Sequence, residues 1–409
     1  MRFDPEQQEL RQTVRTLLDR AAGGDVWRLL TEQVGALELA IPEQYGGAGF
    51  SVLETHVVLE ELGAALAAPG YLSTTVAAQA ILAGDSEQAK AELLPGIAGG
   101  GTRAAVVWSG TVEAVVEAAV GGGGDGWRLT GIEEHVLDGG DSGLFVAQAR
   151  MPGARGEAAG KPDSGRAPRQ ESGAGRGQAR AETGLGQAQE SATDRGQARE
   201  AAIGRGPWQS LDAHSVSGYG VFVVSAADAV VSAVETVDPG RPQACVEFRD
   251  SPAIFLGADP LLLERVLDLA CVAISAEQVG AAQRAFDLTL AYAKQRVQFG
   301  RPIGSFQAVK HRLADMFTLL ESARSASYAA AFAAVSGNEL TVAASRAKAY
   351  CSEAFSTIAG EAIQLHGGIG ITWEHPIHLY FKRAHVTSQL FGTPAWHRRR
   401  YALASGIAA

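Results

Sequence analysis

The sequence predicts an α+β protein, in which a helical N-terminal region, a central β region and a helical C-terminal region follow one another. Three observations support this order. Apolar residues recur at helical spacing over the first hundred positions, short apolar runs alternate with glycine, aspartate and proline turns in the middle, and helical spacing then returns. We therefore expect domains at residues 1–101, 102–257 and 258–409.

Helix-capping residues mark where the N-terminal helices begin. Asp4 precedes Pro5, and Gln7 lies three residues after the aspartate, so the carboxylate can accept hydrogen bonds from first-turn amides. A proline and three glycines predict a loop at residues 41–50. A second helix is expected at residues 51–67, with its acidic residues on the exposed side.

The β region is predicted from five short apolar runs that are separated by turn residues. These runs lie at residues 104–108, 135–137, 143–149, 220–224 and 244–248. Residues 153–206 interrupt them with a stretch that has almost no large apolar side chains. Such a stretch cannot offset the backbone entropy of ordering, roughly 1 to 2 kcal/mol per residue. We predict a disordered insertion, with an interaction arm as the alternative.

The C-terminal region begins with the same capping chemistry as the first helix, because Asp259 is followed by Pro260. One long helix is then expected at residues 261–296. A helix of this length requires long neighbours, which favours a bundle that also packs against other subunits.

Composition excludes several classes of protein. The 409 residues carry a formal net charge of -10, which gives no electrostatic reason to expect nucleic acid or a membrane surface as partner. The three cysteines are Cys245, Cys271 and Cys351, and none forms a CxxC pair, so we expect reduced thiols. Four acidic residues in the first twenty argue against a secretory signal, and no apolar stretch approaches the roughly 18 residues of a transmembrane span. We expect a cytoplasmic protein.

Two blocks in the C-terminal region carry a family resemblance. They are RVQFGRPIGSFQAVKHRLADM at residues 296–316 and QLHGGIGIT at residues 364–372. Together they resemble the C-terminal domain of the acyl-CoA dehydrogenases, flavoproteins that remove a hydride and a proton from adjacent carbons of a thioester. The resemblance implies a C-terminal four-helix bundle, FAD as cofactor, an acyl-CoA or acyl-carrier thioester as substrate, and an electron-transferring flavoprotein as acceptor. It also implies a dimer or tetramer, either homo- or hetero-oligomeric.

The resemblance also implies a set of cofactor contacts. In the family, the arginine that matches Arg296 reaches the flavin pyrophosphate of a neighbouring subunit, and a guanidinium fork suits a diphosphate. The glycines let the backbone approach the dinucleotide, and this is not a Rossmann fingerprint because a helical pattern precedes them. The full set of implied contacts is Arg296, Phe299, Gln307, Gln364, Gly367, Gly368 and Thr393.

The position of the catalytic base departs from the family pattern. The segment that is Tyr-Glu-Gly-Thr in many members reads LFGT at residues 390–393, so Phe391 stands where the glutamate is expected. Proton abstraction requires a carboxylate within hydrogen-bond reach, which phenylalanine lacks. Other members place the base at the position of Ala270, where the nearest acids are Asp268 and Glu264. Glu264 is the candidate for a displaced base, and a solvated carboxylate in the first turns of a helix is the alternative.

Three further features of the sequence bear on the site. The flavin-cradling loop and flavin-wall motif of the family are replaced by residues 108–111 and 135–137. The basic run at residues 398–400 is either a solvated helix end or a contact to cofactor phosphates. His366, with two later histidines, lacks a carboxylate in register, so no metal site is expected.

The chain resembles a bacterial subclass of the family that lacks the usual catalytic glutamate. Three functions on the acyl-CoA dehydrogenase fold remain open. The chain is either a dehydrogenase with a displaced base or a non-catalytic partner in a heteromeric enzyme that adds flavin-contacting residues to a base-bearing paralogue. A third alternative is a flavin enzyme, such as an oxidase, or a dehydrogenase acting on a carrier-protein-bound acyl group.

Overall fold

The computed structural model describes residues 3–21, 24–67, 70–108, 111–117, 126–152 and 218–407. The insertion predicted at residues 153–206 lies outside these ranges, so its disorder stays a prediction. In the described part, helices come first, a sheet follows, and helices return at the end. The predicted α+β class with this order is confirmed.

Five α-helices form the N-terminal region. They are α1 (Pro5–Arg20), α2 (Val26–Leu29), α3 (Val52–Ala64), α4 (Tyr71–Ala83) and α5 (Glu87–Ala98). The first begins as predicted, because the Asp4 side chain accepts from the Gln7 amide while the Gln7 side chain accepts from the Asp4 amide. Ser51 and Glu54 form the same reciprocal pair at the start of α3.

The expectation that α3 exposes its acidic residues is wrong. Glu60 and Glu61 are both buried. Arg11 contacts both carboxylates, Arg15 contacts Glu61 at 2.9 Å, and Arg324 contacts Glu60 at 2.7 Å. Neighbouring helices cover this face of α3, and their arginines neutralise the charges that a buried carboxylate cannot leave unpaired.

Seven strands form the central sheet. They are β1 (Ala104–Val107), β2 (Glu113–Glu117), β3 (Gly126–Leu137), β4 (Leu144–Arg150), β5 (Tyr219–Ser225), β6 (Ala229–Val234) and β7 (Gln243–Gly257). Each strand pairs with the next in the order β4, β5, β7, β3 and β2. The sheet closes into a barrel because β2 also pairs with β4, at Glu113 and Arg150. β1 adds to β4 in parallel, and β6 adds to the first half of β7.

Five α-helices and a short hairpin form the C-terminal region. They are α6 (Pro260–Gln295), β8 (Val297–Gln298), β9 (Arg301–Pro302), α7 (Gln307–Ser336), α8 (Leu340–His366), α9 (Ile377–Gln389) and α10 (Pro394–Ala404). Asp259 caps α6 as predicted. That helix has 36 residues and is about 54 Å long at 1.5 Å per residue. The long helices α6, α7 and α8 pack side by side, with α9 against α8.

A buried arginine joins the three regions. Arg383 on α9 donates to Asp238 in the loop before β7 and to Glu277 on α6 at 3.1 Å. Its remaining nitrogen donates to the backbone carbonyls of Leu66 and Gly240. One guanidinium therefore fixes the end of α3, the barrel loop and the bundle in one position.

A second buried arginine completes this interdomain ion cluster, which consists of Asp138, Asp238, Arg241, Glu277 and Arg383. Arg241 pairs with Glu277, and Asp138 accepts from a serine hydroxyl on α4. Burial raises the pKa of Asp138, although the nearby Arg241 opposes the shift. Burial alone would also raise the pKa of Glu277, but Arg241 and Arg383 hold it below its usual value.

Within the described ranges, no helix is long and apolar enough to cross a membrane. The same ranges hold no group of three or more histidine, cysteine and carboxylate side chains placed to bind a metal ion. The three cysteines are free thiols, and two of them, Cys271 and Cys351, are buried.

Candidate cofactor-binding site

The hairpin after α6 presents two of the predicted cofactor contacts to solvent. Phe299 has φ +53° and Gly300 has φ +77°, the two left-handed residues that a tight turn of this hand needs. The left-handed conformation costs a phenylalanine roughly 1 to 2 kcal/mol. Phe299 is 92% exposed, so little burial offsets that strain. Arg296 is also exposed and makes no ion pair with a carboxylate in the described part of the chain.

The turn after α8 presents bare backbone. Gly367 has φ +64° and ψ -142°, a conformation that only glycine adopts readily. A Cβ atom built on Gly367 or Gly368 would meet nothing within 4 Å, so a ligand can approach this backbone closely. Gln364, one turn earlier, is exposed on the same helix end.

A cluster of three aromatic rings joins the end of α6 to this glycine turn. The Tyr292 ring lies 4.4 Å from the His366 ring, and its hydroxyl donates to the His366 carbonyl. The His375 ring lies 4.4 Å from His366 and 6.3 Å from Tyr292. The end of α6 with its hairpin, the start of α7 and the end of α8 carry six of the implied contacts. We call these six residues the outer half-site: Arg296, Phe299, Gln307, Gln364, Gly367 and Gly368.

The remaining predicted residues, Phe391 and Thr393, form an inner half-site in the interior. Phe391 is 6% exposed and has φ +58°, and its carbonyl accepts from His397 Nε2 at 2.7 Å. Three residues earlier, the Ser388 carbonyl accepts from Lys348 Nζ at 3.0 Å. Thr393 caps α10, since its hydroxyl oxygen accepts from the Trp396 amide.

The groups beneath the inner half-site are neutral except for Lys348. Burial lowers the pKa of the Lys348 ammonium to about 8 and raises the pKa of the Cys271 thiol to about 12. Burial also lowers the pKa of His397 to about 3. Among the described residues, no carboxylate lies within ion-pair distance of Lys348. Among the described residues, the charge of Lys348 is therefore not balanced by a carboxylate at this half-site.

The acids considered for a displaced base are engaged elsewhere. Ala270 is fully buried, while Asp268 accepts from Thr341 at 2.7 Å and also contacts Arg400. Glu264 accepts from the other Arg400 nitrogen at 3.2 Å. Arg400 on α10 is thus the counter-ion of two carboxylates on α6. We expected residues 398–400 to be either a solvated helix end or a contact to cofactor phosphates, and neither expectation describes Arg400.

Little space lies behind the inner half-site on the opposite side of α6. A cavity of about 20 Å³ is bounded there by α3, α4 and α6. Its wall includes Leu269 and Val272, which flank Cys271, and the Cys271 sulfur is 4.0 Å from the Phe391 carbonyl oxygen. Such a cavity holds one water molecule and cannot hold an acyl chain.

The two half-sites are far apart on one chain. Cys271, which contacts Phe391, lies on α6, and Arg296 is the residue that caps the end of this helix. The two residues are therefore roughly 37 Å apart along the helix axis. One dinucleotide does not span that distance. The outer half-site offers a guanidinium, an exposed ring and open glycine backbone, which fit a diphosphate joined to flat rings. The inner half-site carries a buried phenylalanine, Phe391, at the position where the family resemblance implies a glutamate.

Sequence reasoning missed two residues that support these half-sites. Tyr292 lies four residues, or one helical turn, before Arg296. Residues at that spacing share a helix face, so the sequence could have indicated that Tyr292 lies near the predicted cofactor contact. Lys348 gave no signal, because a lysine in the middle of a helix is usually an exposed residue.

Comparison with known proteins agrees with this architecture. The family model described as "Acyl-CoA dehydrogenase, N-terminal domain" matches residues 4–101, and "Acyl-CoA dehydrogenase, C-terminal domain" matches residues 261–405. The chain is 33% identical to acyl-CoA dehydrogenase IpdE2 of Mycobacterium tuberculosis, over 97% of this chain and 96% of that protein.

Two solved structures are similar along their whole length. The complex of ChsE4 and ChsE5 from Mycobacterium tuberculosis matches with a TM-score of 0.77 and 25% identity, covering 100% of this chain and 99% of that one. A variant of the protein named "Tcur3481-Tcur3483 steroid ACAD" matches with a TM-score of 0.73 and 27% identity, covering 99% of both chains. The chain belongs to the acyl-CoA dehydrogenase family.

Proposed function

We propose that this chain is an FAD-dependent acyl-CoA dehydrogenase subunit that completes the cofactor site of a neighbouring subunit and leaves proton abstraction to it. The substrate class is an acyl thioester, whose α,β bond is dehydrogenated. FAD, when bound, accepts the hydride, and an electron-transferring flavoprotein is the proposed acceptor of the electrons. The residues of this chain bind and orient the dinucleotide from outside.

The observation that carries the proposal is the separation of the two half-sites. Arg296 and Phe299 project from the body of the chain, in a strained turn that no burial explains. Because the inner half-site is roughly 37 Å away along α6, the outer residues cannot serve the same FAD as Thr393 of their own chain. They suit an FAD held mainly by another chain.

The inner half-site supports the division of labour between subunits. Phe391 replaces the carboxylate, and the nearest acids on α6 are bound by Arg400. The names of both similar structures join two chain names, and ChsE4 and ChsE5 are described as a complex. A heteromeric enzyme with a base-bearing paralogue is therefore the form that we propose for this protein.

Removing the guanidinium of Arg296 tests the cofactor assignment. In Arg296→Ala, the complex with the paralogue loses charge-assisted hydrogen bonds worth roughly 1.5 to 3 kcal/mol each, so the FAD dissociation constant should rise roughly 10- to 150-fold. Flavin fluorescence titration of the apo-complex measures this constant. Arg346→Ala is the matched control, because Arg346 is exposed near the start of α8, whereas Gln364 and the glycine turn lie at its end.

Adding acyl-CoA tests the catalytic assignment. The isolated wild-type chain should leave flavin absorbance unchanged, whereas the complex with the base-bearing paralogue should bleach it. Rapid flavin reduction by the isolated chain would refute the non-catalytic assignment. Loss of that reduction in Glu264→Gln would then identify the displaced base.

A further inference from the structure

A cavity of about 690 Å³ opens between α1, α3, α6, α7 and α9. Its volume lies within the range of roughly 300 to 1,000 Å³ that is usual for small-molecule sites. Within the described ranges, no residue of the outer or the inner half-site lines it. We call this cavity the arginine groove, after four arginines in its walls: Arg11, Arg15, Arg284 and Arg324.

Two buried carboxylates in the walls of the arginine groove are already neutralised. The side chains of Glu60 and Glu61 are each only 4% exposed, and three of the arginines pair with them: Arg11, Arg15 and Arg324. The Arg15 side chain is nevertheless 52% exposed. It donates to Glu61 through Nε and Nη2, and its Nη1 has no hydrogen-bond partner in the part of the chain that the structure describes. Arg15 therefore retains donors for a ligand.

Arg284 provides a second set of donors. Among the residues that the structure describes, no carboxylate lies within ion-pair distance of it, and it donates to the Tyr380 hydroxyl, which in turn donates to the Ala64 carbonyl at 2.8 Å. Gly280, one turn earlier on α6, packs so closely that an added Cβ would lie 1.7 Å from the Glu60 carbonyl oxygen. This close packing of α6 on α3 holds the Arg284 guanidinium beside the end of α3.

Two exposed carboxylates complete the charged lining of the arginine groove. Asp19 lies one helical turn after Arg15, and Asp287 lies three residues after Arg284. Asp287 accepts from the Gln283 amide at 2.9 Å. Because both carboxylates are exposed, water and salt screen their repulsion of an anion held by the arginines. Their oxygens can also accept hydrogen bonds from hydroxyl groups of a ligand.

We propose that the arginine groove binds a small phosphorylated metabolite, whose phosphate accepts hydrogen bonds from Arg15 and Arg284. A phosphate has enough oxygens to accept from two guanidiniums at once, whereas the two oxygens of a carboxylate match one guanidinium fork. A cavity of about 690 Å³ is far larger than a phosphate ion, so the metabolite carries a further body. Asp19 and Asp287 suit a body rich in hydroxyl groups, such as a sugar. The site is separate from the proposed FAD contacts.

Calorimetric titration of the full chain tests the proposal, with glucose-6-phosphate and inorganic phosphate as probes and citrate as the carboxylate control. We expect the chain to bind glucose-6-phosphate more tightly than inorganic phosphate or citrate. In Arg284→Gln the affinity should fall roughly 10- to 150-fold, because charge-assisted hydrogen bonds to the phosphate are lost. Arg346→Gln is the matched control, because Arg346 is exposed near the start of α8 and does not line the groove. Thermal melting confirms that each variant is folded.

Unchanged affinity for glucose-6-phosphate in folded Arg284→Gln would overturn the proposal. So would an equal loss of affinity in Arg346→Gln, or the absence of binding by both phosphate probes at millimolar concentration. Inorganic phosphate that binds as tightly as glucose-6-phosphate would show a simple anion site and contradict the assignment to a metabolite. Tighter binding of citrate would contradict the assignment to a phosphate. None of these results bears on the proposed function, which the FAD titration of Arg296→Ala tests separately.

Discussion

Relieving the strain at Phe299 should stabilise the chain while weakening cofactor binding. In Phe299→Asn the left-handed turn is kept, because asparagine tolerates φ near +53° far better than phenylalanine. The relief is worth roughly 1 kcal/mol or more. The substitution also removes about 0.2 kcal/mol of stabilisation by apolar burial, a small loss because the Phe299 side chain is 92% exposed. A further ~0.5 kcal/mol is lost with the edge contact to Phe306 at 6.2 Å.

The net gain is roughly 0.3 to 1.3 kcal/mol. With an unfolding entropy of about 2.1 cal/mol/K per residue over 409 residues, that gain raises the melting temperature by about 1 °C. Scanning calorimetry of the isolated chain measures the shift, and flavin titration of the complex measures the weaker FAD binding. A lower melting temperature would refute the strain argument, and unchanged FAD affinity would remove Phe299 from the cofactor site.

A second left-handed residue provides the control. Glu339 has φ +50°, is exposed, and begins α8 without a side-chain capping bond. Glu339→Asn should raise the melting temperature at least as much, because asparagine also caps helices well. It should leave FAD affinity unchanged, since Glu339 lies at the opposite end of α8 from Gln364 and the glycine turn. The two variants together separate relief of strain from loss of function.

Two further predictions concern buried charges. Arg383→Leu leaves Asp238 buried without its guanidinium and leaves Glu277 with Arg241 alone, which costs about 3 to 5 kcal/mol and should lower the melting temperature by roughly 4 to 6 °C, whereas Arg346→Leu should change it by less than about 1 °C. The pKa of Lys348 is about 8 in the folded chain and about 10.4 in the unfolded chain. Burying the ammonium therefore lowers the free energy of unfolding by its full amount below pH 8, and by progressively less as the pH rises above 8. The free energy of unfolding of the wild type, measured relative to that of Lys348→Met, should therefore rise by up to about 3 kcal/mol between pH 8 and pH 10.4, and pH-dependent melting of the two proteins measures this difference.

Local chemistry explains which parts of the fold could be predicted. Asp4 and Asp259 predict helices because a cap and a following proline act within one turn of chain. Each of the five apolar runs overlaps a strand, and two of them extend one residue beyond it, whereas β2 and β6 were missed. β2 has only three apolar residues between two glutamates, and alternate positions of β6 are exposed at the sheet surface.

Long-range contacts explain what could not be predicted. Glu60 looks like a surface residue until Arg11, 49 residues away, and Arg324, 264 residues away, are brought beside it. The motif blocks predicted which residues contact the cofactor, yet nothing in them predicted the left-handed backbone of Phe299 or Phe391, because phenylalanine normally avoids that conformation. The assignment of individual residues to FAD stays a prediction.

The interdomain ion cluster also bears on the order of events during synthesis. Arg383 is made 106 residues after Glu277 and 145 residues after Asp238. At about 5 to 20 residues per second, the Glu277 carboxylate waits roughly 5 to 20 s for that guanidinium. During this interval, Arg241 is the one member of the cluster with a positive charge. We therefore expect permanent docking of the barrel, the N-terminal helices and α6 to be completed only after α9 has been made.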